Sequence, residues 1–358
     1  MIHVVKRSSM PMTHQIAIRV GVIVLALIVC AIVTTLTCGL NPLDVYGTMI
    51  AGALGSTRKV WILLQEAAML LCVSLALTPA FRMKFWNLGG EGQILVGALV
   101  SAACMILFGE SMPNVALILV MFVASLAAGA IWAMVPAIFK AKWNTNETLF
   151  TPMMNYVATQ LVAFFVIVWE KPKGSGQIGI INQSTNAGWL PRVLDNKYLL
   201  NVVLVLLVCV LLQVYLSHTK QGYEISVVGE SQNTARYVGI KVDRVIVRTL
   251  LISGAICGFA GFLLVAGTNH TLTTTIAGGR GFTAVMVAWL AGFNPYIMIG
   301  SALLLEFLSC GASEISTIYG LNQSFGDILT GIILFFIIGT DFFINYRIVF
   351  SKKEVQDV

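Results

Sequence analysis

The sequence is poor in charged residues, which make up only 11% of its 358 residues. Soluble globular proteins carry about 25% charged residues. The shortage excludes an ordinary soluble enzyme, a disordered regulator and a nucleic-acid-binding domain. Hydrophobic residues make up 58% of the chain, and the mean hydropathy is +0.87. Such a composition is typical of a protein that lies largely within a membrane.

The sequence also lacks the motifs that carry catalysis. It has no GxxxxGK[ST] string, so the chain is not expected to bind and hydrolyse ATP by itself. It has no HExxH motif and no Ser/His/Asp arrangement on which to build an intramembrane enzyme. The seven cysteines form no CxxC pair, and the four histidines lie far apart in the sequence. We therefore expect a non-enzyme without a metal or another cofactor.

Long apolar segments dominate the chain. A membrane-spanning helix needs about 20 predominantly apolar residues, and the sequence supplies enough for about ten. We predict a single all-α polytopic membrane domain over residues 1–358. Its predicted spans are an uncleaved first segment that ends near Leu40 and segments at 60–80, 94–109, 114–139, 148–169, 199–217, 249–267, 282–292, 295–311 and 326–346.

The distribution of basic residues predicts the orientation. Cytoplasmic loops of membrane proteins carry an excess of Lys and Arg. With both termini in the cytoplasm, 15 of the 22 basic residues lie inside and 7 outside. The 15 are Lys6, Arg7, Arg19, Arg82, Lys84, Lys140, Lys142, Lys220, Arg236, Lys241, Arg244, Arg248, Arg347, Lys352 and Lys353.

Two loops are long enough to have functions of their own. In the orientation above, the loop 170–198 is extracytoplasmic and the loop 218–247 is cytoplasmic. The cytoplasmic loop is charged but has regularly placed apolar residues. A 30-residue connector of this kind is typical of a folded element that docks on a partner, although a simple solvated connector is the alternative. We expect a short helix from Gly229 to Ile240.

Two short glycine-rich strings occupy comparable places in the two halves. They are Gly89-Gly90-Glu91-Gly92 and Gly278-Gly279-Arg280-Gly281, each followed by a short apolar segment. The predicted topology gives them opposite orientations. Glycine-interrupted segments at matching positions of inverted halves indicate a transporter's binding site, because broken helices are tolerated at membrane depth only beside a cavity or polar partners. Flexible turns at the membrane surface are the alternative.

Glu66 and Glu306 lie inside predicted spans, and Asp327 and Asp341 lie near the two ends of the last one. Carboxylates within spans usually face the bundle interior or a water-filled cavity. Glu66 and Glu306 are candidates for a transport pathway, or for purely structural hydrogen bonds between helices.

Four blocks of sequence resemble the inner-membrane permease subunits of ABC importers in the branched-chain amino acid, simple-sugar and nucleoside group. The blocks are FWNLGGEGQ (85–93), Asn146-Glu147 with Met154-Asn155-Tyr156, GESQNTARYVGIKV (229–242) and GRGFTAVMVAWLAGFNP (279–295). The GGEGQ form looks most like the subfamily that imports nucleosides with a basic-membrane-protein type of binding protein. The chain departs from the pattern at Trp86, Pro152, Arg280 and Thr283-Ala284.

The resemblance implies a permease in the bacterial cytoplasmic membrane that moves a nucleoside or a similar small polar solute. Its implied partners are a second, related permease, cytoplasmic ATP-binding subunits and an extracytoplasmic lipoprotein or periplasmic binding protein. A simple sugar or a vitamin-like heterocycle is the alternative solute. A different mechanism, a proton-coupled secondary transporter that uses Glu66 and Glu306, needs no docking element and is disfavoured by the folded cytoplasmic loop.

Two sets of candidate site residues follow. We expect the solute to pass beside the two glycine-rich strings, near Trp86, Asn87, Glu91, Gln93, Asn155 and Phe282. Glu91 has a second possible role, in which it accepts hydrogen bonds from exposed backbone N–H groups of its own turn. We expect contact with the ATPase at Gly229, Glu230, Asn233, Ala235, Arg236 and Gly239.

Overall fold

The computed structural model describes residues 2–6 and 12–350 and is predominantly helical. Arg7, Lys352 and Lys353, which entered the orientation argument, lie outside the described residues. The helices are α1 Met12–Cys38, α2 Pro42–Leu54, α3 Thr57–Arg82, α4 Gly90–Phe108, α5 Asn114–Trp143, α6 Glu147–Trp169, α7 Leu199–His218, α8 Lys220–Glu230, α9 Gln232–Tyr237, α10 Val242–Leu263, α11 Arg280–Leu290, α12 Pro295–Tyr319 and α13 Gln323–Asn345. Leu264–Asn269 continues α10 as a π-helical turn.

The prediction of an all-α polytopic membrane protein is confirmed. Among the described residues, eight helices are long and apolar enough to cross a membrane, and two shorter apolar helices cover Arg280–Leu290 and Ser324–Thr340. Each of the ten predicted segments therefore coincides with a helix. The count of ten full spans is approximate, because α11 has 11 residues and is about 16 Å long, roughly half of the hydrocarbon thickness.

Helix α2 was not predicted from the apolar pattern. Its start is nevertheless encoded locally, since the side chain of Asn41 accepts a hydrogen bond from Leu43 N and Pro42 occupies the first helical position. Both residues are typical of a helix N-terminus.

The chain forms two compact units. The first comprises Met1–Val60 and Glu306–Val358, and the second comprises Trp61–Leu305. In the first unit α1 packs on α13 around a core that includes Cys30, Met49, Ile315 and Leu329. The strand β1 (Ile2–Lys6) pairs in antiparallel register with β2 (Tyr346–Phe350), so the two terminal segments lie side by side.

The second unit is built on close packing of α4, α5 and α10. Their backbones approach closely at glycines. A Cβ added at Gly97 would lie 2.5 Å from Gly258 Cα, and a Cβ added at Gly129 would lie 2.2 Å from Gly254 O. Small residues at membrane helix interfaces allow this close approach. The van der Waals contacts that result hold the helices together, because lipid provides no hydrophobic driving force between them. The packing leaves Val242–Asn269 mostly buried, although it has the hydropathy of a membrane span.

Candidate functional site

The starts of α4 and α11 meet within the second unit. Helix α3 ends at Arg82, and residues 85–89 leave the helical conformation before α4 begins at Gly90. A Cβ added at Gly281 would lie 2.3 Å from the backbone N of Glu91, so only glycine permits this contact. We call residues 87–92 and 278–281 the helix-start junction. The two strings singled out in the sequence, 188 and more positions apart, are thus neighbours in space.

Glu91 joins the two sides of the junction. Its Oε1 accepts a hydrogen bond from Gly279 N and its Oε2 accepts one from Gly281 N, both at 2.8 Å. These N–H groups belong to the first turn of α11, where helices lack internal acceptors and favour a negative charge. Glu91 therefore caps the opposite string and not its own turn, and it occupies two N–H groups at the start of α11.

Asn87, Gln93 and Asn155 lie behind the junction and are at most 6% exposed. The side chain of Asn87 accepts hydrogen bonds from Gly89 N and Gln93 Nε2 and donates to Ser253 Oγ. The amide of Asn155 accepts from Gly92 N and donates to Leu88 O, both at 2.9 Å. In this structure Asn87 and Asn155 hold the non-helical backbone, and Gln93 supports Asn87. Gln93 Oε1 is buried without a hydrogen-bond partner among the described residues.

An exposed apolar face lies on the other side of α11. Phe282, Met286 and Trp289 recur at helical spacing and are 51%, 39% and 52% exposed. Trp86, which is 41% exposed, stacks on Trp289 with ring centroids 5.5 Å apart. The opposite face of α11 carries buried Ala284, Val287 and Ala288. We call Trp86, Phe282, Met286 and Trp289 the aromatic face, and it offers flat surfaces on which a planar group can stack.

A charge cluster lies at the start of α11. Arg280 Nη2 donates to Glu66 Oε2 of α3, and Arg280 Nη1 donates to Ala277 O at 3.1 Å. With Glu91, the cluster contains two carboxylates and one guanidinium. Sequence reasoning selected both carboxylates but not Arg280 as a site residue, although Arg280 had been noted as a departure from the family pattern. That departure was the signal that could have identified it.

Glu306, the other carboxylate selected from the sequence, belongs to the first unit. It is partly buried in α12. The structure groups Glu66 with Glu91 and Arg280 in the second unit.

The segment that leads to α11 lines an open cavity of about 680 Å³. Its lining consists of Ala163, Val166 and Ile167 from α6, residues 176–180 of the long loop and Thr271–Thr274. Next to it, His270 stacks on Trp189 with ring centroids 3.7 Å apart, and His270 O accepts a hydrogen bond from Ile181 N. The loop 170–198 thus packs on the segment that follows the π-helical turn.

The loop 218–247 contains two helices in place of the single helix expected from Gly229 to Ile240. That expectation was wrong in its bounds, because Ser231 is extended and starts a new helix by accepting a hydrogen bond from Thr234 N. Gly229 and Ala235 are buried, whereas Glu230, Asn233, Arg236 and Gly239 are exposed. Tyr237 and Val238, 95% and 61% exposed, lie among them and were not selected from the sequence.

A tight contact holds this hairpin in the second unit. A Cβ at Gly229 would lie 2.1 Å from Arg82 O at the end of α3. Arg248 of α10 also pairs with Glu224 of α8 at 2.9 Å. We call the exposed residues Glu230, Asn233, Arg236, Tyr237 and Val238 the α8–α9 surface.

Comparison with known proteins adds independent findings. A family model described as branched-chain amino acid transport system, permease component, matches residues 60–338. The chain is 29% identical to the glucose ABC transporter permease protein TsgB13 of Haloferax volcanii, over 91% of this chain and 88% of that protein. It is 28% identical to the guanosine ABC transporter permease protein NupP of Bacillus subtilis, over 93% and 94%.

A third relative is the nucleoside ABC transporter permease protein NupB of Lactococcus lactis, which is 26% identical over 91% of both chains. Second permeases from two of these organisms, NupQ of Bacillus subtilis and TsgC13 of Haloferax volcanii, are also similar to this chain. The matches are to transport components and extend over most of the chain.

Proposed function

Because this chain belongs to the family of branched-chain amino acid transport system permease components, we propose that it is the membrane subunit of an ABC importer for a nucleoside or a similar small polar solute. Separate subunits hydrolyse the ATP. The protein acts in the bacterial cytoplasmic membrane with both termini in the cytoplasm. The basic-residue distribution supports this orientation, and the pairing of β1 with β2 supports a common side for the two ends.

The observation that carries the proposal is the aromatic face beside the charge cluster. A nucleoside has a planar base that carries N–H and carbonyl or amino groups, and a sugar ring that carries hydroxyl groups. Trp86, Phe282 and Trp289 offer stacking surfaces, and Glu66 with Arg280 offers hydrogen-bond acceptors and donors a short distance along α11. Apolar and polar groups side by side suit a solute that has both.

The relatives favour the same class of solute. NupB and NupP are named for nucleoside and guanosine transport, and TsgB13 is named for glucose. A simple sugar is therefore the second candidate. The exposed aromatic side chains favour a base, because a planar heterocycle uses the whole ring face.

Three kinds of partner complete the importer. A second permease, related but not identical, pairs with this chain, as the paired relatives from Bacillus subtilis and Haloferax volcanii suggest. The α8–α9 surface, with its exposed tyrosine and charged side chains, docks on the ATPase. On the extracytoplasmic side, opposite the ATPase, a lipoprotein or periplasmic binding protein delivers the solute to the permeases.

The test is uptake by the assembled importer in proteoliposomes. Phe282→Ala should lower the initial rate of nucleoside uptake about fivefold, because an aromatic contact contributes roughly 1 kcal/mol. Phe335→Ala, at a 74% exposed phenylalanine of α13 in the first unit, is the matched control and should transport normally. Equal uptake by Phe282→Ala and the unmodified importer would remove the aromatic face from the pathway. An importer that takes up glucose but takes up no nucleoside would instead favour the sugar hypothesis.

A further inference from the structure

The Glu66–Arg280 ion pair has bonding capacity that the fold does not use. Arg280 donates through Nη1 and Nη2, whereas its Nε is buried without a hydrogen-bond partner among the described residues. The Glu66 side chain accepts through Oε2 and remains 34% exposed. A guanidinium has five N–H groups, and that of Arg280 makes three hydrogen bonds to described residues, so one N–H of Nη2 beside the partly exposed Glu66 carboxylate also has no partner among them.

The charge balance of the cluster disfavours an anion. Two carboxylates, Glu66 and Glu91, share one guanidinium. The start of α11 contributes only about half a positive charge, and Glu91 already occupies it. The excess carboxylate charge would repel an anionic solute, and a low dielectric strengthens this repulsion. An uncharged solute would not be repelled.

We propose that Glu66 and Arg280 are specificity-determining residues that recognise an uncharged base edge on which an N–H donor stands beside a hydrogen-bond acceptor. The base donates to the carboxylate of Glu66 and accepts from the guanidinium of Arg280. Hypoxanthine, with its ring N–H next to a carbonyl, has such an edge. The inference rests on the proposed function, whose solute class it narrows.

Glu91 is a positioning residue in this arrangement. Its two hydrogen bonds to Gly279 N and Gly281 N enclose Arg280 in sequence and fix the backbone from which the guanidinium extends. The carbonyl of Ala277 holds the guanidinium from the other side. The donor edge is therefore placed before a solute arrives, which lowers the entropic cost of binding.

The experiment compares two solutes that differ only at this edge. Inosine carries the carbonyl and the adjacent N–H, and purine riboside has neither. Initial uptake rates of both are measured in proteoliposomes that contain the complete importer with its own binding protein. Because the binding protein is the same in every sample, a change in the inosine-to-purine-riboside ratio between variants reports the permease.

Glu66→Gln should lower this ratio about tenfold, because the amide oxygen that replaces the carboxylate is uncharged and is a weaker acceptor for the base N–H. Arg280→Lys keeps the positive charge but loses the planar guanidinium with its parallel N–H donors, and it should lower the ratio as well. Glu314→Gln is the matched control: it breaks the 2.8 Å ion pair with Lys59 in the first unit and should leave the ratio unchanged.

The outcomes separate the two proposals. An inosine-to-purine-riboside ratio that is the same in Glu66→Gln and the unmodified importer overturns the inference and leaves the proposed function standing, even if both rates fall. An unmodified importer that transports glucose and neither nucleoside overturns the proposed function and the inference with it. A ratio that falls in Glu66→Gln and in Arg280→Lys but not in Glu314→Gln supports the proposed function and the inference.

Discussion

At the scale of single residues, His270 is the group whose charge the fold controls most clearly outside the membrane spans. Its ring lies against Trp189, and its Nδ1 is buried without a hydrogen-bond partner among the described residues. Burial lowers the pKa of His270 to about 4, and Lys197 and Arg192 contribute in the same direction. The imidazole is therefore neutral at pH 7, and the stack contains no buried charge.

This pKa predicts that acid weakens the attachment of the loop 170–198. An unfolded histidine has a pKa of about 6.5, so the open loop binds a proton more tightly than the packed loop does. The stability of the packed loop is complete above about pH 6.5 and falls as the pH decreases toward 4. Hydrogen exchange of residues 186–190, corrected for intrinsic rates, should therefore be faster at pH 5 than at pH 7.

The control for this effect is His270→Asn. Asparagine tolerates the positive φ of 51° at this position but does not titrate in this range. The variant should exchange faster than the unmodified protein at pH 7 and should show no further acceleration at pH 5. An identical pH response in the two proteins would assign the effect to another group.

Glu91 shows what a sequence can and cannot reveal about a residue. A carboxylate between glycines at the start of a short apolar segment indicated either a solute contact or a cap. To choose between them, one must know which N–H groups donate to the Glu91 carboxylate. They belong to Gly279 and Gly281, which are 188 and 190 residues away in the sequence. Local periodicity contains no information about contacts of that range, and a resemblance to a family identifies the motif but not its hydrogen bonds.

At the scale of elements, the hairpin of α8 and α9 is the part that sequence reasoning located correctly but divided incorrectly. The apolar positions Ile225 and Val228 are buried, which fits a folded element. The break at Ser231 was missed, although serine before Gln-Asn-Thr is a typical N-cap signal. The cap sets where α9 begins and leaves Arg236, Tyr237 and Val238 on an exposed tip.

The exposed tip predicts the effect of a charge reversal at Arg236. Arg236→Glu should weaken co-purification of the ATPase subunit, or lower uptake relative to ATP hydrolysis, because a guanidinium at a docking surface makes charge-assisted hydrogen bonds. Binding of the ATPase is measured by co-purification, and coupling is measured as solute taken up per ATP hydrolysed.

The matched control is Arg192→Glu, which makes the same charge change at an exposed position of the loop 170–198. It should leave assembly and coupling unchanged. If Arg236→Glu also assembles and transports as the unmodified chain does, the ATPase docks elsewhere.

At the scale of the whole molecule, hydropathy and charge were sufficient to predict the class of protein and the positions of its long helices. They could not predict the depth of α11. Its apolar residues resemble a short span, and only the contact of Gly281 with Glu91 shows that the helix begins where α4 also begins. The inverted arrangement of the two halves remains a prediction, since it concerns direction in the membrane.

The orientation is tested by cysteine labelling in a cysteine-free background. A thiol reagent that does not cross membranes should label Ser184→Cys in intact cells, because residue 184 is exposed in the loop 170–198. The same reagent should label Asn233→Cys, exposed on α9, only after permeabilisation. Asn233 is preferable to Ser231, whose hydroxyl caps α9. The reverse pattern of labelling would invert the assigned topology.

The glycine contacts among α4, α5 and α10 determine which parts of the second unit can move during a transport cycle. Helices slide past one another when the side chains between them change rotamer, but Gly97, Gly129 and Gly258 place backbone against backbone and leave no such layer. The three helices must therefore shift together. The start of α11 belongs to the same block, because Gly281 places its backbone against the backbone N of Glu91 in α4. Displacement within the second unit during transport therefore falls to elements outside these glycine contacts.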